Sequence, residues 1–242
     1  MKRRIILTIL LLLLLPILFG GWVVGTSSGL HWLLTRTLLA NTLEIDNLDG
    51  NLLGSLHLTG VRYNDNKIKL TLDEAMLKWH PSALWHKELR VEMLYLKQLS
   101  VELAPSNDEP LQLPDIRLPI NVKLDDIQIN DLEIIRPGQP ALQINNASLR
   151  ATANNDGVQM QYLNISSDIA QLSLHGELHP YEHYWHDLEL QWQLQLPQQP
   201  TLNGSGKIKG DLRQTTLQHT LTFPVKATTE LTLFDLLQTL RW

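Results

Sequence analysis

Apolar residues recur at every second position over most of the chain after Leu43, in runs of five to nine residues. The segments K-I-K-L-T-L at 67–72 and L-E-L-Q-W-Q-L-Q-L at 188–196 show the pattern. A period of two places alternate side chains on opposite faces of a strand, so each run predicts one apolar and one polar face. Turn-forming residues such as 64–66 and 154–157 separate the runs. The pattern predicts an all-β protein of about a dozen to fifteen strands, mostly paired with their neighbours along the chain.

The N-terminus departs from this pattern. Residues 1–4 carry three positive charges, and residues 5–24 carry none. Twenty helical residues span roughly 30 Å, the thickness of a bilayer's hydrocarbon core. A cleaved signal peptide is the alternative, but its apolar region is usually about 7–15 residues long, and the best cleavage point, 23–25, is a weak one. The sequence therefore predicts an uncleaved transmembrane helix, with the basic end in the cytoplasm and the bulk of the chain across the membrane.

Three segments follow from these patterns. We expect a basic end and anchor at 1–24, a membrane exit with a short helix at 25–40, and a β-structure at 41–242. Helical spacing recurs in His31–Leu39, which Ser27 or Ser28 could cap, and more weakly in 235–240. The last apolar run reaches Trp242 without a polar finishing segment, which would expose an unpaired strand edge. This predicts that the β-structure is incomplete at its C-terminus.

Composition excludes several functional classes. The 242 residues include no cysteine, so disulfides, thiolate metal sites and a cysteine nucleophile are all absent. The net charge of −5 argues against a nucleic-acid partner, which requires a basic surface. About 200 residues beyond the anchor suffice for one sizeable domain.

The apolar face of the predicted sheet must be covered, and the residue types leave three ways open. Two sheets can pack as a sandwich, a sheet can close into a barrel, or it can curl into an open trough filled by lipid. The alternation of apolar and polar residues along each strand is the same in a sandwich, a barrel and a trough. The pattern alone does not choose among them.

Several motifs resemble those of one known family. G-T-S-S-G-L at 25–30 follows the apolar run directly, and 48–103 is similar to the hairpin and the W-x-P turn of the TamB family. This family supplies the inner-membrane subunit of the translocation and assembly module of Gram-negative bacteria and lies within the AsmA-like, bridge-like lipid-transfer group. Segments 175–194 and 204–233 resemble its repeating unit. The residues that match the hairpin and turn are Gly50, Leu52, Leu56, Leu58, Val61, Arg62, Tyr63, Trp79, Pro81, Leu84, Leu89 and Val91.

The resemblance implies an N-terminal transmembrane helix followed by an elongated, curled antiparallel β-sheet, a taco-like groove for lipid. It also implies phospholipid acyl chains and the inner membrane as partners, and an outer-membrane barrel of the TamA type that would bind through a C-terminal part absent from this chain. No cofactor, metal or catalytic residue is expected. By alternation, the groove is lined by Leu56, Leu58, Ile68, Leu70, Leu72, Ile120, Val122, Leu124, Leu142, Ile144, Leu172, Leu174, Leu188, Leu190, Trp192 and Leu194.

The expected function is that of a non-enzymatic conduit, anchored in the inner membrane with its bulk in the periplasm. It would move phospholipids between the inner and outer membranes and support outer-membrane protein assembly. The alternatives are an AsmA-like relative with another cargo, and a tethered β-sandwich that serves as a structural or adhesion module.

A histidine cluster and two pairs of adjacent acids invite a chemical interpretation. His179, His183 and His186 crowd into H-P-Y-E-H-Y-W-H-D, and histidine is a common zinc ligand. However, a His-x₃-His pair needs a helix to converge on a metal, and this segment is typical of a turn. The adjacent acids 73–74 and 125–126 could suggest acid–base catalysis. However, adjacent residues of a strand point to opposite faces, so the two acids of each pair cannot converge on one substrate. We expect these acids to mark turns or bulges where the alternation changes phase.

Overall fold

The computed structural model describes residues 25–29, 32, 42–104, 113 and 115–236. None of the helical segments within these ranges has the length and hydropathy needed to cross a membrane. The anchor predicted at 5–24 lies outside the described residues, as do nearly all residues of the two short predicted helices. In the segment 25–29, the Thr26 hydroxyl accepts a hydrogen bond from the Gly29 N–H at 3.0 Å. Thr26 therefore caps the helical residues 27–29, whereas capping of His31–Leu39 by Ser27 or Ser28 stays a prediction.

The described residues form twelve strands in a single sheet, ordered as they occur along the chain. A 3-10 helix at Pro81–His86 separates the third strand from the fourth. The predicted all-β fold is confirmed, and the sheet is long and curled. The strands are β1 (Leu43–Gly50), β2 (Ser55–Asn64), β3 (Ile68–His80), β4 (Glu88–Leu103), β5 (Asn121–Ile135), β6 (Leu142–Asn154), β7 (Gly157–Ser166), β8 (Ala170–Leu178), β9 (His186–Leu194), β10 (Leu202–Gly210), β11 (Gln214–Phe223) and β12 (Ala227–Phe234).

One pair of neighbouring strands differs from the predicted antiparallel sheet. β4 and β5 run parallel, with Leu96 opposite Ile129, whereas every other neighbouring pair of the described strands is antiparallel. The prediction is therefore wrong for this pair. Parallel neighbours need a connection of a dozen or more residues to return the chain to the starting end of the sheet. Residues 104–120 provide that length.

In each of the first six strands one residue is left out of the cross-strand pairing, and these residues form a line across the sheet. On either side of this line the apolar side chains stay on one face, as Leu72 and Ala75 show by packing in the same cluster with Val61. The acid at 73 thus marks the change of phase, as predicted. The aligned positions that the ladder skips are Asp46, Gly60, Asp73, Gln98, Asp131 and Asn145.

A second irregularity lies at the other predicted acidic pair. The register of β5 on β6 shifts between Leu124 and Ile127, so Asp125 and Asp126 form the bulge. β6 and β7 shift at Arg150/Ala151, next to this bulge. Arg90 donates a hydrogen bond to Asp125 at 2.9 Å. The prediction of a bulge here is confirmed.

The described sheet is a single layer. Among the described elements, the extensive packing contacts join only strands adjacent in the sheet, together with β4 and the 3-10 helix. Leu70, Leu124 and Leu190 are all half-buried, and no large side chain among the described residues is fully buried. A sandwich would bury such residues between two sheets. Within the described residues there is no second sheet to do so.

Candidate functional site

Apolar side chains form unbroken rows across the sheet. Residues directly opposite one another on neighbouring strands share a face, so a row can be followed from partner to partner. One row crosses all twelve strands and contains only aliphatic residues, one tryptophan and one glycine. In strand order it consists of Leu48, Leu58, Ala75, Leu96, Ile129, Ala147, Ile165, Leu172, Trp192, Gly204, Leu221 and Ala227.

A second row lies two residues away on the same face. It stays aliphatic or glycine as far as β10 and becomes polar at His219 of β11 and Thr229 of β12. The Trp192 indole N–H donates to His219 Nε2 at 3.1 Å, which joins the two rows. The members of this row on β1–β10 are Gly50, Leu56, Leu77, Leu94, Ile127, Leu149, Leu163, Leu174, Leu190 and Gly206.

The sequence-predicted lining residues converge on this apolar face, with one exception. Ile120 precedes β5 and is not part of a strand. The others lie in strands, in the two rows above or in parallel rows with the same apolar character. That they contact lipid remains a prediction.

Sequence reasoning missed many residues of the same face. On β4 and β5 the alternation is hard to follow, because apolar residues change phase at skipped positions such as Gln98 and Asp131. On β6, the small residues Ala147 and Ala151 carry little hydrophobic signal. A search for alternation that restarts after each interruption would have found Leu94, Leu96, Ile127, Ile129, Leu149 and Leu163.

The burial pattern distinguishes the two faces. Every buried side chain that the structure describes belongs to the apolar face or to the rows that continue it. In a flat single layer the two faces would be about equally accessible to water. The asymmetry indicates that the curl shelters the apolar face. The buried side chains are those of Val61, Leu72, Ala75, Ile127, Ala151, His186 and Thr215.

The opposite face carries ladders of ion pairs between neighbouring strands. On β9 and β10, Lys207 lies 3.1 Å from Asp187 and 3.1 Å from Glu189, and Lys209 lies 2.8 Å from Asp187. Lys69 on β3 similarly pairs with its direct partner on β4 at 3.2 Å. These charges are satisfied within the sheet.

The same ladder shifts its own protonation equilibria. Hydrogen bonds from Lys209 and then Lys207 hold the pKa of Asp187 below its usual value. The ammonium of Lys207 likewise lowers the pKa of Glu189, whose carboxylate in turn raises the pKa of Lys207. A depressed carboxyl pKa stabilises the fold above the unfolded-state value, and this contribution is lost as pH falls through the folded-state value.

We therefore expect Lys207→Gln to lower the thermal unfolding temperature slightly at pH 7 and to have little effect at about pH 2, because the lowered folded-state pKa values of Asp187 and Glu189 delay their protonation to stronger acid. Exposed pairs contribute little each, so the shift at pH 7 should be small and should shrink in high salt. Circular dichroism melts at the two pH values measure it. Lys226→Gln is the control, because Lys226 has no carboxylate partner among the described residues. A Lys207→Gln difference that persisted in acid would contradict the assignment.

The histidine-rich segment is a turn, as predicted. Residues 179–185 connect β8 to β9, and the three histidines diverge. His186 Nε2 lies 3.2 Å from the Thr215 hydroxyl, whereas the His179 ring packs edge-on against Trp185 at 4.9 Å. The backbone carbonyl of His183 accepts the Leu212 N–H at 2.8 Å. Within the described ranges no three histidine or acidic residues are grouped as a metal site would require.

These observations define a class: a single-layer β-sheet with one continuous apolar face and one charge-paired face. The family model described as "TamB, N-terminal domain" matches residues 14–112 and 104–239. The chain belongs to this family, as its motifs predicted. Searches among curated proteins and among solved structures returned no match. At the level of the family, membership indicates a TamB-like role in outer-membrane protein assembly or lipid transport.

Proposed function

We propose that this chain forms a lipid conduit in the periplasm, anchored in the inner membrane, in which phospholipid acyl chains lie on the apolar face while their headgroups remain in water. It moves phospholipids between the inner and outer membranes and so supports outer-membrane protein assembly together with a barrel partner of the TamA type. Transfer of this kind requires no catalytic residue.

The observation that carries the proposal is the apolar row across all twelve strands, with no second protein layer over it among the described residues. Exposing hydrocarbon to water costs about 0.8 kcal/mol per CH₂. An acyl chain that lies on this face reduces the hydrocarbon exposed to water on both the lipid and the protein. The rows run perpendicular to the strands, so an acyl chain that moves along the sheet exchanges one leucine or isoleucine for the next.

The geometry favours a conduit over a single binding pocket. Strands lie about 4.8 Å apart, so twelve strands extend roughly 53 Å along the rows. That is well over the length of one acyl chain, and the apolar character is continuous over it. A tethered sandwich would instead require a second sheet against Leu190 and its neighbours. A different cargo on the same face remains the nearest alternative, and it is distinguished by what is recovered from the groove.

Neighbouring residues on one strand provide the test. A photo-crosslinking amino acid at Leu190 faces the apolar side, and the same amino acid at Gln191 faces the charge-paired side. We expect the full chain, expressed in a Gram-negative host and irradiated in cells, to form phospholipid adducts at Leu190. Mass spectrometry of the purified protein identifies the adduct.

The Gln191 variant is the matched control, because it has the same probe at the same depth in the sheet. Adducts at Gln191 equal to those at Leu190 would show that the probe meets bulk lipid and not a groove. Adducts with protein but not lipid at Leu190 would overturn the proposal. Adducts with an apolar molecule other than phospholipid would favour a different cargo.

A further inference from the structure

One corner of the sheet exposes large apolar side chains. It consists of the β1–β2 turn, 51–54, and the 3-10 helix at Pro81–His86, and we call it the β1 corner. Leu53 is 57% exposed, Leu84 is 45% exposed and Trp85 is 90% exposed. Single exposed hydrophobic residues are ordinary on protein surfaces, but a cluster of this kind marks a contact surface.

A cavity of about 900 Å³ lies within this corner, lined by Leu53, Trp79, Pro81, Leu84 and Trp85 among others. Trp79 is also the direct partner of Val91 on the apolar face, so the cavity lies at the end of that face. The indole N–H of Trp79 is buried and has no hydrogen-bond acceptor within the described part of the chain. The wall of the cavity thus contains a donor that lacks an acceptor.

The corner lies beside the point where the chain leaves its apolar N-terminal run. That run ends at residue 24, and Gly25 lies so close to the β1–β2 turn that a methyl group on it would be 3.8 Å from Leu53 Cδ1. If the run spans the bilayer, as its length predicts, Leu53 lies next to the membrane surface. The nearest apolar medium to the corner is then the bilayer itself.

The charges around Trp85 fit a lipid surface. His86 and Lys87 follow it directly, both are exposed, and the first turn of the 3-10 helix has no acidic residue. Lys78 and His80, on the adjoining strand, are already paired with Glu92. An exposed tryptophan beside basic residues is the composition found where proteins meet headgroups, and anionic lipids attract such basic residues.

We propose that the β1 corner docks into the outer surface of the same bilayer that holds the N-terminal run, with Trp85 at the boundary between headgroups and acyl chains. Docking places the open cavity against the leaflet, so that a lipid enters the apolar face past Trp79. The entry step rests on the proposed function; the docking itself does not. The occupant is a bilayer surface and not a second copy of the chain.

The absence of cysteine allows a direct depth measurement. Trp85→Cys and Val225→Cys each introduce a single labelling site in the full chain, and Val225, 66% exposed, follows β11 at the other end of the strand order. Each variant is labelled with an environment-sensitive fluorophore and reconstituted into vesicles of phosphatidylethanolamine and phosphatidylglycerol. Lipids with a nitroxide near the headgroup or at the chain end report depth by quenching.

We expect the fluorophore at 85 to be quenched severalfold more than the one at 225, and most strongly by the headgroup-proximal nitroxide. Equal quenching at the two sites would overturn the proposal. Disulfide crosslinking between two Trp85→Cys chains, without quenching, would show that a second copy covers the corner and would also overturn it. Lys87→Cys repeats the measurement with Trp85 in place. This variant controls for the loss of the Trp85 side chain in Trp85→Cys.

Failure of docking and failure of lipid conduction give different results. If residue 85 is unquenched while Leu190 still forms phospholipid adducts, only the docking is wrong. If residue 85 is quenched and Leu190 forms none, the corner binds the membrane but the apolar face is not a conduit.

Discussion

Leu174→Glu is expected to reduce the phospholipid recovered with the purified full chain by about tenfold, equivalent to roughly 1.4 kcal/mol of binding free energy. Leu174 stands in an apolar row between Leu163 and Leu190. A carboxylate at this position would lie among acyl chains without a cation to pair with, and burying an unpaired charge costs several kcal/mol. Because the sheet is open to water on one side, the penalty should be partial.

The control is Gln171→Glu on the same strand. Gln171 is exposed and faces Ser166 and Gln193 on the charge-paired side, where an added carboxylate stays in water. We expect its lipid content to match that of the unsubstituted chain. Quantitative lipid mass spectrometry gives the ratio, and far-UV circular dichroism checks that both variants keep their strands. Equal lipid content in the two variants would mean that the apolar face does not carry the lipid.

The chemistry of the two faces could be predicted because it depends only on local alternation. L-E-L-Q-W-Q-L at 188–194 makes up most of β9, and each apolar residue in it lies on the apolar face. Leu and Ile occupy one side and Gln and Glu the other, whatever the partner strand. The same locality explains why alternation could not choose between sandwich, barrel and trough, which differ only in what covers the apolar side.

The direction of β5 could not be predicted from alternation, because a period of two is the same for parallel and antiparallel pairs. The available signal was the connection itself. Residues 104–120 are too many for a hairpin and contain four prolines, at 105, 110, 114 and 119. The length of this connection was therefore the evidence for a parallel crossover. The composition of the strands carried no such evidence.

The bulges were predictable singly but not as a line. Asp73 and the acids at 125–126 each interrupt a run, and each predicted a change of phase. Their alignment across neighbouring strands depends on register, which no single strand encodes. The structure places Asp73 beside Gly60 and Gln98, so that six strands change phase together and the apolar face continues without a break.

Gly176 on β8 should be among the residues of the sheet that tolerate replacement least. We expect Gly176→Ala to destabilise the chain by about 3–5 kcal/mol, in the range of the most severe single substitutions. Gly176 has a φ of +136°, and a Cβ built on it would lie 2.2 Å from the backbone carbonyl oxygen of Asp187 on the neighbouring strand. A backbone atom held in the β8–β9 ladder cannot rotate away as a side chain can, so the two strands must separate.

Gly138→Ala separates this clash from backbone strain alone. Gly138 also has a positive φ, +71°, but nothing lies within 4 Å of an added Cβ. Its replacement should therefore cost only the left-handed strain, about 1–2 kcal/mol. Urea unfolding of both variants, followed by circular dichroism, measures the difference. Equal losses would mean that β8 and β9 can move apart freely at this point, and the continuous apolar row across them would then not be held by the strand pairing.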